Sequence, residues 1–169
     1  VLTFEPMPKM FFNNKLKNFR ISNLEQKINF LKNFDVDFVI IKKFDKRFSK
    51  KKSINFIRNI LRLKLKSKFI FVSNNFKFGN KREGDVRQLI RNENLYKYKI
   101  IKPKPLTKSR KIISSTLIRK LLQKGDLNLA NKFLDREWSI KGKVLKGRQL
   151  GKKIGFPTAN IDINDYVLA

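Results

Sequence analysis

A chain of 169 residues is long enough to bury a substantial core, and it can hold one domain or one domain plus part of another. Its 41% hydrophobic content, with 16 Phe, argues against disorder even though 41 Lys and Arg face only 13 acids, for a net charge of +28. Cysteine and histidine are both absent, which excludes disulfides, a thiolate nucleophile, Cys-ligated zinc and histidine acid–base catalysis within these residues.

The positive charge is spread along the whole chain beside abundant Lys, Asn, Ile and Phe, so it reads as compositional bias and solvated lysine faces more than as a device for binding nucleic acid. No apolar run approaches the length of a membrane span and no signal-peptide pattern opens the sequence, so a cytoplasmic location is the expectation.

Val1 to Phe4 reads as a strand stopped by Glu5-Pro6-Met7-Pro8, with the Glu5 carboxylate just past its carboxyl end, the edge at which open α/β sheets bind ligands. An opening of that kind suits a piece of a longer chain. Ser22 or Asn23 can cap a helix to about Asn33, with Leu24, Ile28 and Leu31 as its apolar stripe. Asp37 to Lys42 and Lys68 to Val72 are short apolar runs of the kind found in strands covered on both faces, and between them Ser53 can cap a helix. The loop from Ser73 to Asp85 carries Asn75, Phe76, Phe78 and two glycines, Gly79 and Gly84; flat rings and amide donors suit a heteroaromatic base. Asp85 can cap a helix, and Tyr96 to Lys102 is a further strand.

Ile112-Ile-Ser-Ser-Thr-Leu-Ile-Arg119 then reads as a strand entering a helix N-terminus. Unpaired N–H groups and the helix dipole favour an anion there, Ser115 and Thr116 add hydroxyls, and Arg119, four residues after Ser115, offers a planar fork for phosphate oxygens. Gly125 stops this helix and Asp126 caps the next, to about Leu134. Past Asp135 the composition changes. Trp138 to Leu145 alternates like a half-exposed antiparallel strand, and Gly147, Gly151 and Gly155, with Lys152 among them, lead into Phe156-Pro-Thr-Ala-Asn-Ile161. A glycine-rich loop of this kind brings N–H groups close to an anion, and Thr158 and Asn160 offer oxygens to a hard cation such as Mg²⁺.

Four stretches in order, Thr3 to Phe12, Val72 to Gly79 with Arg82, Gly84 and Asp85, Ile113 to Arg119, and Gly142 through Gly155 to Ile161, resemble the bacterial bifunctional riboflavin kinase/FMN adenylyltransferase family, the FAD synthetases. The resemblance implies an α/β chain: a Rossmann-like nucleotidyltransferase domain with a mostly parallel sheet over residues 1–135, then the start of an antiparallel β-barrel kinase domain over 136–169. It implies a sequence truncated at both ends, whose isolated activity would be weak. It implies ATP, riboflavin and FMN as substrates, FAD as product, and Mg²⁺. Arg119 would be catalytic, Glu5, Asn75, Phe76, Phe78, Gly79, Ser115 and Thr116 would join it in holding nucleotide and flavin, Gly147, Gly151, Lys152 and Gly155 would form the kinase phosphate loop, and Thr158 and Asn160 would meet the metal. Met7, Lys146 and Lys152 depart from the family's usual His, His and Arg, and the family has an acidic or amide residue at Asn75. A basic nucleic-acid-binding module is the rival reading; it would show a steep salt dependence of oligonucleotide binding.

Overall fold

The computed structural model describes residues 1–147, 155–156, 158–163 and 166–168. It is a mixed α/β structure. Its strands form small two-stranded pairs instead of the broad parallel sheet expected. β1 (Leu2–Glu5) pairs with β2 (Ile40–Lys43), Ile40 N donating to Val1 O at 2.8 Å and Phe44 N to Glu5 O at 2.9 Å. The chain divides into two compact units, one of residues 1–3, 12–41 and 108–169, the other of 4–11 and 42–107.

In the first unit, α2 (Leu24–Lys32) starts at Asn23, whose side chain accepts from Gln26 N while Gln26 Oε1 accepts from Asn23 N, a reciprocal capping box. β7 (Thr107–Lys108), which enters this unit at Lys108, pairs with β8 (Lys111–Ile112), and both precede α7 (Ser115–Gln123). Leu117, Ile118, Leu121 and Leu122 recur at helical spacing, and the last three are buried against Ala130 and Phe133 of α8 (Leu127–Leu134) and against Val167. Each such side chain, fully buried, contributes about 1.5–3 kcal/mol. Gly125 has φ +74° and lets the chain turn between the helices, and Asp126 caps α8 by accepting from Leu129 N.

Of the strand expected over Trp138 to Leu145, only β9 (Val144–Leu145) forms, antiparallel to β10 (Asn160–Ile161). The preceding residues are held by side chains from elsewhere. Trp138 N donates to Asn131 Oδ1 (2.8 Å), Gln26 Nε2 donates to Ser139 O (3.0 Å), and Lys141 N donates to the Tyr166 hydroxyl (3.2 Å). Backbone groups committed to such partners are unavailable to a ladder.

The second unit contains α1 (Pro8–Phe12) up to Phe11, α3 (Lys46–Ser49), α4 (Ser53–Phe56) continuing as a π-helical stretch Ile57–Lys64, and β3 (Phe69–Phe71). A hairpin of β4 (Lys77–Phe78) and β5 (Gly84–Asp85) follows, then α5 (Val86–Arg91), α6 (Glu93–Tyr96) and β6 (Lys99–Ile101), which pairs in parallel with β3. Tyr96, expected to open the last strand, is instead the end of α6, and β6 is correspondingly short. Phe56, Ile57, Leu61, Phe78, Val86, Leu89 and Tyr98 are buried. Phenylalanine rings link much of this unit edge to face: Phe11 on Phe44 (5.2 Å), Phe4 on Phe44 (5.8 Å), Phe44 on Phe48 (5.7 Å) and Phe48 on Phe56 (6.3 Å).

Two further expectations, one about coverage and one about a helix cap, fail. β2 and β3 are not covered on both faces, since Phe69 and Phe71 are each 64% exposed and Ile40 and Ile41 are exposed as well. Ser53 is not the cap of its helix but its first residue; Lys52 occupies the cap position and makes no side-chain cap.

Candidate active site

The helix start at residues 114–119 forms as the sequence implies, with one shift of role. Ser114 is the cap, its Oγ accepting from Leu117 N at 3.2 Å, and this leaves the Ser115 and Thr116 side chains exposed in the first turn. Arg119 is half-buried, and desolvation lowers the pKa of its guanidinium. Its Nε donates to the Phe19 carbonyl oxygen at 2.7 Å, and its guanidinium carbon sits 3.7 Å from the Phe19 ring centroid. Sequence spacing places Arg119 on the Ser115 face of the helix, but Phe19, a hundred residues away, had no signal that would pair it with this arginine. The geometry leaves a fork anchored by its Nε edge and stacked on a ring, whose terminal nitrogens pair with no acceptor among the described residues.

The second group of candidates belongs to the other unit. The loop after β3 starts as Val72 N extends the ladder to Ile101 O (3.0 Å), and Phe76 N closes a turn on Ser73 O (3.1 Å). Asn75 is exposed, its Oδ1 accepting from Ser73 Oγ at 2.9 Å. Phe76 and Phe78 stack with centroids 5.5 Å apart and planes 18° apart. Phe78 also packs on Phe56 at 5.5 Å and is only 8% exposed, so it secures the loop to the core while Phe76 remains partly accessible.

Gly79, with φ +77° and ψ 177°, lies where a Cβ would come within 2.8 Å of Ser53 backbone atoms. A side chain is excluded by both conformation and space. Glu83, which the sequence reading passed over, supplies what α4 lacks: its Oε1 accepts from Ser53 N at 2.6 Å. Glu5 is half-buried at the carboxyl end of β1. Asp85 caps α5 through Gln88 N (3.0 Å), and that hydrogen bond is the main cause holding its carboxyl below the usual pKa. Separately, an open groove lined by Lys68, Phe69, Glu93, Lys97 and Lys99 contains none of the predicted site residues.

The third group lies after residue 140. Gly151 and Lys152 fall outside the described residues. Gly147 lies beside the terminal amide of the exposed Asn160 side chain. Gly155 has φ +85°, and Thr158 and Asn160 are exposed. Among the described residues no group of three or more His, Cys, Asp or Glu is placed to hold a metal, and no helix is long and apolar enough to cross a membrane.

Comparison with known proteins converges on one family. The family model described as FAD synthetase matches residues 1–117, and one described as riboflavin kinase matches 134–169. The bifunctional riboflavin kinase/FMN adenylyltransferase of Buchnera aphidicola subsp. Schizaphis graminum is 40% identical over 168 residues, covering 99% of this chain and 54% of the relative. The proteins of the same name from Haemophilus influenzae and Escherichia coli K12 are 36% and 35% identical over 167 residues, covering 99% of this chain and 54% and 53% of the relatives. The chain thus spans about half the length of the curated relatives it matches. A solved structure described as a macrolide-efflux protein from Streptococcus pneumoniae superposes with a TM-score of 0.76 at 23% identity, over 99% of this chain and 55% of that one, which speaks for the fold alone. With its first 117 residues matched by that model and the Ser114–Arg119 helix start in place, this chain belongs to the FAD synthetase family.

Proposed function

We propose that the protein containing this chain makes FAD in two ATP-dependent steps, phosphorylating riboflavin to FMN and adenylylating FMN. The match of the FAD synthetase family model across residues 1–117 carries this reading. In the second step a phosphate oxygen of FMN bonds to the α-phosphorus of ATP as the bond to pyrophosphate breaks. The protein's task is then to position two anions and to offset their charge. The exposed Ser115 and Thr116 hydroxyls and the α7 N-terminus suit the nucleotide phosphates, and the terminal nitrogens of Arg119 suit the charge that builds on the leaving pyrophosphate. Asn75, Phe76 and Gly79 serve the base or flavin end, with Phe78 as their support and Glu5 as a polar neighbour.

Residues 1–135 form the Rossmann-like adenylyltransferase domain and 136–169 the opening of a β-barrel kinase domain, whose phosphate loop includes Gly147, Gly151, Lys152 and Gly155. Thr158 and Asn160 fit Mg²⁺ by chemistry, offering a hydroxyl and an amide oxygen at exposed positions where water and phosphate oxygens can complete the shell. The ion would neutralise ATP phosphate charge during riboflavin phosphorylation. The cytoplasm supplies ATP and suits the chain. The test is to assay the full-length protein for FMN formation from riboflavin and for FAD formation from FMN, each with ATP. Absence of FAD formation in a folded preparation overturns the proposal.

A further inference from the structure

Three successive carbonyls, those of Phe19, Arg20 and Ile21, each accept a hydrogen bond from a different part of the chain. Phe19 O takes Arg119 Nε at 2.7 Å, Arg20 O takes Val167 N at 2.8 Å, and Ile21 O takes Trp138 Nε1 at 2.8 Å. Arg20 is 9% exposed and also forms a parallel bridge with Tyr166. All of these residues lie in one compact unit. Trp138 and Val167 fall in the stretch that matches riboflavin kinase, whereas Phe19 to Ile21 fall in the stretch that matches FAD synthetase.

We propose that Trp138 is a positioning residue for Arg119, acting through the Phe19–Ile21 backbone, so that the kinase-matching segment helps set the geometry of adenylyl transfer. The proposal rests on the reading of Arg119 as a phosphate ligand. Arg20 lies in an isolated bridge flanked by bends at Asn18 and Ile21, so no regular ladder fixes this segment and the three donors on its carbonyls hold it in place. With a separate donor on each of three successive carbonyls, the position of the segment follows its donors. Arg119 follows in turn, because the Phe19 residue fixes the guanidinium twice, by the carbonyl at its Nε edge and by the ring beneath its plane. Trp138 is itself anchored, with its N–H on Asn131 Oδ1 and its ring packed against the α7–α8 core. Loss of the indole donor leaves Ile21 O to seek another partner and loosens the segment two residues from the carbonyl that holds Arg119. Reacting groups misplaced by about 1 Å can lose roughly 100-fold in rate, so a fraction of that displacement is measurable.

The experiment is a double-mutant cycle on FAD formation by the full-length protein, with Trp138→Phe and Arg119→Ala singly and together. Trp138→Phe keeps an aromatic ring and removes the indole N–H along with part of the ring's bulk; the cycle with Arg119 separates the effect on Arg119 from a general packing loss. The expected result is a roughly 3- to 10-fold fall in kcat with little change in KM for ATP, and almost no further fall when Arg119 is already Ala. Additive losses, or no loss in the Trp138 single variant, overturn the proposal. An Arg119→Ala single variant that retains full adenylyl transfer overturns the reading of Arg119 and the inference with it, which distinguishes the two failures. If Trp138→Phe yields little folded protein, Trp138→Tyr, aromatic and without an indole N–H, runs the same cycle and is judged by the same outcomes.

Discussion

Glu83 caps a helix that begins thirty residues before it: its Oε1 accepts from the main-chain N–H of Ser53 at 2.6 Å. The same helix start is approached by Gly79 and Gly84, at each of which a Cβ would fall within 2.8 Å of Ser53 atoms. The loop assigned to the nucleotide or flavin is therefore fastened at its base to the N-terminus of α4. Its free part is the Ser73–Phe76 turn.

Removing this cap should cost what an ordinary helix cap contributes, and it also unfastens the loop. Glu83→Ala is expected to lower the unfolding free energy by about 1 kcal/mol, within the 0.5–2 kcal/mol range of cap deletions. Glu83→Gln keeps an acceptor oxygen and should lose less, since only the charge assistance goes. Urea unfolding of the three proteins measures this. Equal stability of the alanine variant and the parent would remove Glu83 from the capping role.

Two glycines with similar φ separate conformational strain from crowding. Gly125 has φ +74° and open space around its Cα, whereas Gly79, at φ +77°, has Ser53 backbone atoms 2.8 Å from where a Cβ would go. Gly125→Ala should therefore cost about 1–2 kcal/mol, the penalty of left-handed backbone. Gly79→Ala adds overpacking to a backbone region that only glycine adopts freely, and a loss of about 2–5 kcal/mol is expected. The ordering is the test, read from denaturation midpoints; a Gly125 variant less stable than the Gly79 variant would contradict it.

Tyr98 gives the fold an alkaline limit. Its ring is 3% exposed, its hydroxyl donates to Leu89 O at 2.7 Å, and burial, with Glu93 and Tyr96 nearby, raises its pKa from 10.0 to about 12. The folded state thus holds the proton after the unfolded chain has begun to release it. Stability associated with Tyr98 is intact below pH 10 and declines as pH rises from there to about 12. Lysine titration overlaps this window, so the measurement is the difference between the parent and Tyr98→Phe. The phenylalanine variant should be less stable at neutral pH, lacking the hydrogen bond, and the gap should narrow between pH 10 and 12. A gap that stays constant would show that Tyr98 titrates alike in both states.

Local signals in the sequence were read correctly where local physics decides. Asn23, Asp85 and Asp126 cap their helices as amide- and carboxylate-type side chains should, and Ile118, Leu121 and Leu122 of the apolar stripe are buried, with Leu117 packed against them, as the period implies. The failures are all nonlocal. Ser53 resembles a cap, but its helix is capped by Glu83, and no spacing rule links the two. Trp138 to Lys143 alternates like a strand, yet Asn131, Gln26 and Tyr166 claim its backbone. Phe76 and Phe78 look alike in the sequence, and only the way the hairpin folds back, packing Phe78 on Phe56, tells them apart. At the candidate site the residue types were legible and their partners were not, because Phe19 meets Arg119 only through tertiary packing.

Arg119 gives the sharpest prediction, since its geometry separates charge from shape. The Nε edge is held by Phe19 O and the plane rests on the Phe19 ring. A lysine would keep a positive charge, but it has no planar group to stack and no fork to grip two phosphate oxygens. Arg119→Lys in the full-length protein should therefore lower kcat for FAD formation more than it weakens ATP binding, and Arg119→Ala should lower it further. Deleting one donor that stabilises developing charge typically costs about 2–4 kcal/mol in the barrier. Riboflavin phosphorylation, measured on the same preparation, should change little, because the match to riboflavin kinase covers residues 134–169 and Arg119 lies outside it. Equal losses in both activities would point to misfolding, and an unchanged rate of FAD formation would leave Arg119 as no more than a structural clamp on Phe19.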